Sequence, residues 1–250
     1  MQLKAGDRAV VTGASRGIGA CFARELAQRQ VDLLLIARSR DDLRAVANEI
    51  DGVSVDVIEM DLTHELPSLE QLGRVDVLVN NAGFGLRGEF AEQPIERLSD
   101  MIELDVASLV KLTHVVLPQM IERRRGAVIN VASTAAFQPV PLMAIYGASK
   151  AFVLSFSEAL HVELAEKGVS VLGLCPGATK TDFHRVAGNT ERFAGIGETP
   201  EQVVRTALRA LEAGRSSTVS GGVNTALALA TRLIPRVTAA RLAAKVMEPR

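Results

Sequence analysis

Tyr146 and Lys150 are two residues whose types and spacing could move a proton. They lie four positions apart in a predicted helix, which brings the phenol and the ammonium to one face. A nearby cation favours the ionised phenol, so Lys150 is expected to lower the pKa of Tyr146 below its usual value of about 10, whereas burial of the phenol would act in the opposite direction. Tyr146 could then act as a general acid or base towards a carbonyl oxygen. Such a pair also occurs by chance in many helices, but Ser133, thirteen residues earlier at the end of a predicted strand, strengthens the interpretation.

A glycine-rich run, residues 12–19 (TGASRGIG), could hold a phosphate group. It follows the first predicted strand and opens the first long helix. Glycines let the backbone turn tightly and approach a pyrophosphate, while the N–H groups of the helix start bind the anion. The spacing is G-x-x-x-G-x-G rather than G-x-G-x-x-G, so the alternative of a turn without ligand stays open. The strand–loop–helix context favours dinucleotide binding.

Arg38 ends the second predicted strand, about twenty residues past Gly19. An acidic residue there would accept the ribose hydroxyls of NAD, whereas an arginine accommodates the additional phosphate of NADP. Arg16 could converge with Arg38 on the same 2′-phosphate. Arg38 could also be no more than an exposed charge. The sequence predicts NADP(H), in preference to NAD(H), as the cofactor.

The elements that position these residues alternate along the chain. Short runs rich in Val, Ile and Leu predict six strands: Arg8–Thr12, Val31–Ala37, Val53–Met60, Val75–Asn80, Ala127–Ala132 and Val169–Cys175. Helical patterns cover Ile18–Gln30, Asp41–Ile50, Ile95–Arg125 with a break, Ala144–Lys167 and Pro200–Ala213. This alternation predicts an α/β fold with a doubly wound parallel sheet of the Rossmann type, helices on both faces and a single domain over residues 1–250.

Five motifs resemble those of the short-chain dehydrogenases/reductases in order and spacing, over about residues 5–215. They are TGASRGIG, Asn80-Asn81-Ala82-Gly83, Ser133, the Tyr146/Lys150 pair and Pro176-Gly177. The resemblance implies that Ser133 orients a substrate carbonyl, Tyr146 exchanges a proton, and Lys150 holds the nicotinamide ribose. Together with Arg38, the expected cofactor-binding residues are Gly13, Ser15, Arg16, Gly17, Ile18, Gly19, Asp61, Leu62, Asn81, Ala82, Gly83, Tyr146, Lys150, Pro176, Gly177, Thr179 and Thr181.

Two departures from the family pattern stand out. Asp105 occupies a place in the long middle helix where the family usually has an asparagine that seats a water in a proton relay to the lysine. Asp105 is therefore a candidate catalytic residue that replaces an amide by a carboxylate. The frequent V-D-G-G ending is absent, and an amphipathic tail over about residues 225–247 follows instead. That tail argues against an acyl-carrier-protein reductase of fatty-acid synthesis.

The segment of about residues 182–199 is expected to form a lid over the substrate. Phe183 and His184 are the candidate substrate contacts in it, with Ser133 on the opposite side. The apolar residues Phe183, Phe193 and Ile196 suggest a substrate with an apolar part.

Composition limits the function classes. Of 250 residues, 48% are hydrophobic and 23% are charged, which excludes a disordered chain. The formal charge of −1 lacks the basic excess of nucleic-acid-binding proteins. Cys21 and Cys175 do not make a disulfide framework, and no histidine or cysteine spacing suggests a metal site. The absence of an apolar run of about 18 residues predicts a cytoplasmic protein without membrane contact.

Two functions remain open. The favoured one is an NADP(H)-dependent oxidoreductase that interconverts a small-molecule carbonyl and an alcohol, with Tyr146 as general acid/base. The alternative is a catalytically silent NADP(H)-binding regulatory protein of the same fold. Such proteins typically lose the tyrosine or the lysine, and this chain keeps both together with Ser133. The resemblance also implies a homodimer or a homotetramer.

Overall fold

A seven-stranded, entirely parallel sheet forms the centre of the computed structural model, which describes residues 1–188 and 197–247. The spatial order of the strands is β3-β2-β1-β4-β5-β6-β7. The strands are β1 Arg8–Thr12, β2 Asp32–Ala37, β3 Val55–Glu59, β4 Val77–Asn80, β5 Gly126–Val131, β6 Val169–Cys175 and β7 Ser217–Val219. The predicted doubly wound parallel sheet is confirmed, and β7 is an additional strand that the sequence did not reveal.

Alternating strand residues feed two separate cores, one on each face of the sheet. Val11, Leu35 and Ile129 point to one core, whereas their neighbours Val10 and Leu34 point to the other. Both sets are fully or almost fully buried. A strand that is covered on both faces needs apolar residues at every position, which is why these runs lack the polar alternation of half-exposed strands.

Helices cover both faces. They are α1 Gly17–Ala27, α2 Arg40–Asn48, α3 Leu69–Leu72, α4 Ile95–Ile102, α5 Leu109–Glu122, α6 Ala144–Leu164, α7 Phe183–Val186, α8 Pro200–Glu212, α9 Gly222–Ala230 and α10 Arg236–Met247. α1, α2 and α8 supply the first core, and α3, α5 and α6 supply the second. Within the described residues, no helix is long and apolar enough to cross a membrane.

The helix predicted over Ile95–Arg125 with a break is interrupted in the structure. A π-helical segment, Glu103–Ser108, separates α4 from α5 and contains Asp105. In a π-helix the backbone hydrogen bonds span five residues instead of four, so its side chains are rotated relative to those of a regular α-helix. The π-helical segment therefore aims Asp105 into the interior, where it is completely buried.

The strand order reverses between β1 and β4. In open parallel sheets, ligands bind in the crevice beyond the carboxyl ends of the strands on either side of such a reversal. Residues that follow β1, β4, β5 and β6 meet at that edge, and these are the segments that carry the predicted motifs.

Candidate active site

The glycine-rich loop after β1 packs tightly against the loop after β4. Gly13 has φ +62° and a Cβ there would lie 2.8 Å from Asn81 Nδ2. A Cβ at Gly19 would strike the carbonyl oxygen of Gly13 and lie 2.5 Å from the same Asn81 Nδ2. Asn81 Nδ2 donates to the carbonyl oxygens of Thr12 and Gly13, at 2.9 and 3.1 Å. Only glycines allow this close approach, so the loop has the cradle that a pyrophosphate requires.

α1 begins inside this loop at Gly17, which has φ +57°. The N–H groups of a first helical turn have no partner within the helix, and no acidic residue occupies this turn. Ser15 and Ile18 lie in the same run on either side of Gly17. A Cβ at Gly17 would lie 3.1 Å from Thr181 Cγ2, so the loop after β6 closes over the helix start. These features fit an anionic group bound at the beginning of α1.

Thr12 connects the two loops through its hydroxyl group. Oγ1 accepts hydrogen bonds from the N–H groups of Asn81 and Ala82, both at 3.0 Å, and donates to the carbonyl of Val79. These hydrogen bonds attach the Asn81-Ala82-Gly83 segment, which the sequence predicted to support the central strand, to the end of β1. Leu62, another predicted cofactor residue, is buried nearby, where its carbonyl oxygen accepts a hydrogen bond from Ser108 Oγ.

Arg38 stands just beyond β2 with 69% of its side chain exposed, and its Nη1 lies 4.0 Å from Asp61 Oδ2. Partial burial opposes ionisation of Asp61. Hydrogen bonds from the N–H and hydroxyl of Thr63, at 3.0 and 2.7 Å, and the charge of Arg38 nevertheless keep the pKa of Asp61 below its usual value. Arg16 lies instead 3.9 Å from the carboxylate of Asp182. The two arginines thus pair with different carboxylates, and both stay exposed at the edge of the crevice.

Ser133, Tyr146 and Lys150 come together beyond the end of β5. Tyr146 lies in the first turn of α6, and the Ser133 hydroxyl is close enough to its phenol to favour the ionised form. Lys150 Nζ lies one turn further on, 5.7 Å from the centroid of the Tyr146 ring. Lys150 Nζ also donates to the carbonyl of Val131, at 3.1 Å. The structure therefore brings together the three residues that the sequence singled out.

Asp105 forms an ion pair with Lys150, with 3.4 Å between Oδ2 and Nζ. Its Oδ1 accepts the N–H of Phe84 at 3.1 Å, and its Oδ2 accepts the hydroxyl of Ser149 at 3.2 Å. Burial raises the pKa of Asp105, and the adjacent ammonium of Lys150 opposes that shift. A Cβ at Gly83 would lie 2.7 Å from Asp105 Oδ1, so this glycine leaves room for the carboxylate.

The expected lowering of the Tyr146 pKa is wrong. Burial raises the pKa of Tyr146; the Ser133 hydrogen bond opposes the rise, and the negative charge of Asp105 adds to it. The physical reason is burial, which penalises the charged phenolate, and Asp105, which also pairs with Lys150, adds a negative charge that acts in the same direction.

Sequence reasoning missed several groups of this site. Ser149 donates to both Asp105 and the carbonyl of Tyr146, and the backbone groups of Phe84 and Val131 hold the ion pair. Backbone donors leave no trace in residue identity. Ser149 had a visible signal, because it precedes Lys150 directly and shares a helix with Tyr146.

An apolar wall faces the phenol of Tyr146. The ring of Phe183 lies against it with centroids 5.3 Å apart, and a Cβ at Gly85 would lie 3.0 Å from Phe183 Cζ. The surrounding cluster comprises Phe84, Leu86, Leu98, Met101, Val140, Met143, Ile145 and Ala187. Of the predicted lid, Phe183 is therefore next to the site, whereas the side chain of His184 and residues 189–196, with Phe193 and Ile196, lie outside the described part.

The loop after β6 closes the other side of the crevice. The carbonyl of Pro176 accepts the N–H of Thr134, directly after Ser133, and Thr179 Oγ1 donates to the carbonyl of Gly177 at 3.0 Å. With Thr181 against Gly17, the predicted segment after Pro176 spans from the Ser133 side of the site to the glycine-rich loop.

Dinucleotide-binding oxidoreductases of the Rossmann type have this arrangement, with a glycine-lined crevice at a strand reversal and a Ser–Tyr–Lys group beside it. Comparison with known proteins identifies one family within this class of oxidoreductases. The family model for short chain dehydrogenases matches residues 7–192. The chain belongs to the short-chain dehydrogenase/reductase family.

Individual relatives agree with this assignment. The chain is 37% identical to very-long-chain 3-oxoacyl-CoA reductase of Anas platyrhynchos, over 81% of this chain and 68% of that protein. It is 39% identical to hydroxysteroid dehydrogenase-like protein 1 of Gallus gallus, over 68% of this chain and 55% of that protein. This chain thus spans little more than half of the second relative's length.

Solved structures agree in fold. A short-chain dehydrogenase from Sphingobium yanoikuyae in complex with NADPH is 33% identical, with a TM-score of 0.79 over 85% of this chain and 87% of that one. A 3-ketoacyl-(acyl-carrier-protein) reductase from Brucella melitensis, complexed with NADH, is 26% identical, with a TM-score of 0.76 over 86% and 96%.

Proposed function

We propose that this protein is an NADP(H)-dependent oxidoreductase that interconverts a carbonyl and an alcohol on a substrate with an apolar part. The observation that carries the proposal is the grouping of Ser133, Tyr146 and Lys150 beside the glycine-lined crevice. A nicotinamide bound in the crevice would supply or accept the hydride. The chain's own residues then have to position the carbonyl and handle one proton.

Ser133 and Tyr146 are arranged to act on one oxygen atom. The Ser133 hydroxyl lies close enough to the Tyr146 phenol to influence its pKa, so a carbonyl oxygen that enters beside both can accept from both. In the reducing direction the Tyr146 O–H bond breaks, and its proton passes to the oxygen of the forming alcohol. The phenolate that results recovers its proton from solvent after the alcohol leaves, and the ammonium of Lys150, 5.7 Å from the ring centroid, lies near it meanwhile.

Asp105 is proposed as a positioning residue that acts through Lys150. Its carboxylate holds Nζ from one side and the Val131 carbonyl holds it from another, so the ammonium keeps its place in a buried site. Because Asp105 also accepts the N–H of Phe84, it connects the lysine to the loop after β4. A direct ion pair between Asp105 and Lys150 thus replaces the asparagine amide that the family usually has at this position.

The preference for NADP(H) is supported by Arg38 and Arg16. Both side chains are exposed at the edge of the crevice, where a 2′-phosphate would exchange a weak ion pair for a charge-assisted hydrogen bond. The carboxylate nearest Arg38, that of Asp61, is engaged by Thr63. The NADPH complex of the Sphingobium protein agrees with this choice, whereas the NADH complex of the Brucella protein shows that the family uses both cofactors.

The apolar wall around Phe183 supports an apolar substrate. The names of the relatives, an acyl-CoA reductase and a hydroxysteroid dehydrogenase-like protein, point in the same direction. The hydroxyls of Ser133 and Tyr146 lie beside this wall, so a carbonyl would find donors there while an apolar part of the substrate would find hydrocarbon.

The test is turnover of a panel of ketones, from small to long-chain and polycyclic, with NADPH and then with NADH. We expect faster turnover of the larger apolar ketones and a higher kcat/KM with NADPH. Tyr146→Phe should abolish turnover and leave NADPH binding intact. NADPH binding without turnover of any ketone, aldehyde or alcohol would favour the catalytically silent regulator instead.

A further inference from the structure

α9 exposes apolar side chains towards the outside of the molecule. Its buried residue is Ala228, while Val223, Leu227 and Leu229 are 75%, 61% and 57% exposed. A helix turns by about 100° per residue, so the side facing away from Ala228 is built from Val223, Ala226, Leu227, Leu229 and Ala230. Surface helices normally present polar residues on that side. Thr225, which lies nearer to the Ala228 side, folds its hydroxyl back onto the carbonyl of Gly221.

α10 follows after a short turn in which Leu233 is 87% exposed. Arg241 and Lys245 lie one turn apart on the side away from the buried Ala239, in line with the exposed Val237. The sequence from the start of α9 to the end of α10 contains four basic residues and no acidic one. The formal charge of −1 for the whole chain conceals this local excess.

We propose that the exposed residues of α9 and α10, here called the C-terminal surface, dock on an anionic lipid bilayer. Helices that lie in a membrane interface combine exposed Leu and Val side chains with Lys and Arg, because the apolar groups enter the acyl boundary while the cations attract lipid phosphates. The C-terminal surface has both components. No helix of residues 1–188 and 197–247 could span the bilayer, so the contact is peripheral.

A second copy of this chain is a poorer occupant of the C-terminal surface. Copies that pair about a two-fold axis bring the same patch of each molecule into contact. Such a pairing would bring two copies of Arg236, Arg241 and Lys245 into one interface with no acidic residue of α9 or α10 to neutralise them. A bilayer of anionic lipids supplies the missing negative charge.

The C-terminal surface adjoins the cofactor crevice. α9 packs against β7 and the turn Thr134–Phe137, which follows Ser133. The side chain of Asn224 occupies the space where a Cβ of Gly177 would stand, and it donates to the carbonyl of Ser220 at 2.8 Å. Docking through α9 would therefore hold the substrate side of the molecule close to the lipid, where apolar ketones accumulate. The docking itself does not depend on the proposed reaction.

The chain contains no tryptophan, so one introduced tryptophan reports on one position. We would mix Leu227→Trp with vesicles of phosphatidylglycerol and phosphatidylcholine in equal parts, and with vesicles of phosphatidylcholine alone. The proposal predicts a fluorescence shift to shorter wavelength with the anionic vesicles and a far weaker one with the neutral vesicles. Val162→Trp is the matched control, because Val162 is 74% exposed on α6 and should show no shift.

Co-sedimentation with the same anionic vesicles tests the charge component. Replacing both Arg241 and Lys245 by Gln should weaken binding by about 25-fold, since each cation at an anionic surface contributes roughly fivefold. Arg40→Gln with Arg44→Gln, on exposed positions of α2, removes the same charge and should leave binding unchanged. Leu227→Asp with Leu229→Asp should abolish binding, with circular dichroism confirming an intact fold.

Several outcomes would overturn the inference. One is a Leu227→Trp spectrum that anionic vesicles leave unchanged, and another is an equal shift for Val162→Trp. Self-association that Leu227→Asp abolishes, without any partition to vesicles, would assign the C-terminal surface to a second copy of the chain. Vesicle binding and ketone turnover are measured independently, so either proposal can fail while the other stands.

Discussion

Two ion pairs flank the crevice, and they differ in what surrounds them. Lys150 and Asp105 meet in the interior, where each has further hydrogen-bond partners. Arg38 and Asp61 meet at the surface, with 4.0 Å between them and the arginine largely exposed. A surface pair contributes about 0–1 kcal/mol and can exchange partners, whereas breaking a buried pair leaves an uncompensated charge and costs about 3–5 kcal/mol. The buried pair is therefore suited to hold a catalytic group, and the surface pair is suited to release an arginine to a ligand.

The largest effect is expected from breaking the buried pair. Lys150→Met leaves the Asp105 carboxylate buried without its cation, so the free energy of unfolding should fall by about 3–5 kcal/mol. Denaturant unfolding checks this value. Adding Asp105→Asn to the same chain removes the stranded charge and should restore most of the stability without restoring turnover. A single variant as stable as the parent chain would contradict the pairing.

Removing the surface cation should change cofactor choice. Arg38→Asp removes the partner of a 2′-phosphate and adds a repelling charge, and a hydrogen bond to a charged group contributes about 1.5–3 kcal/mol. The ratio of kcat/KM for NADPH over NADH should fall by at least about tenfold. Arg44→Asp, an equal charge change at an exposed position of α2, is the control and should leave the ratio unaltered.

The titration of Tyr146 sharpens the contrast further. The chain has one tyrosine and no tryptophan, so near-ultraviolet absorbance follows this phenol alone. Asp105 contributes to the raised pKa of Tyr146, and Asp105→Asn should lower that pKa. An unchanged titration would mean that burial alone sets the pKa.

The raised pKa of Tyr146 also predicts how stability depends on pH. The unfolded chain loses the phenolic proton near pH 10, whereas the folded chain retains it to higher pH. The folded state therefore binds more protons above about pH 10, and its stability should decrease as the pH rises through that range. Tyr146→Phe should remove this component, and chemical denaturation at a series of alkaline pH values checks it.

The smallest effect is expected for stability at the surface pair. Arg38→Gln removes an ion pair whose two groups are 4.0 Å apart and partly solvated. The free energy of unfolding should change by less than about 0.5 kcal/mol. A loss comparable with that of Lys150→Met would show that Arg38 holds the fold and is not free for a ligand.

Sequence reasoning located the parallel sheet and the glycine-rich loop because both depend on local patterns. Continuous apolar runs indicate buried parallel strands, and Gly13 and Gly19 are required by contacts that no other residue fits. β7 was not predicted because it has only three residues and gives little periodicity.

The direction of the Tyr146 pKa could not be predicted in the same way. It depends first on burial in the folded chain and then on Asp105, which is 41 positions away and is turned inward by a π-helical segment. A helix-spacing argument places Lys150 correctly and still misses the carboxylate that compensates its charge. Charge in a buried site is a property of the whole neighbourhood, so the Tyr146/Lys150 spacing alone gave the wrong sign.

The hydroxyl of Thr12 has a consequence for the order of folding events. It joins groups 67, 69 and 70 positions apart in the chain. Contacts between such distant residues form late, because the intervening chain must first lose its freedom. The crevice is thus absent until β4 has docked beside β1. Refolding followed by the fluorescence of added NADPH should therefore lag behind refolding followed by helical circular dichroism, and Thr12→Val should lengthen that lag.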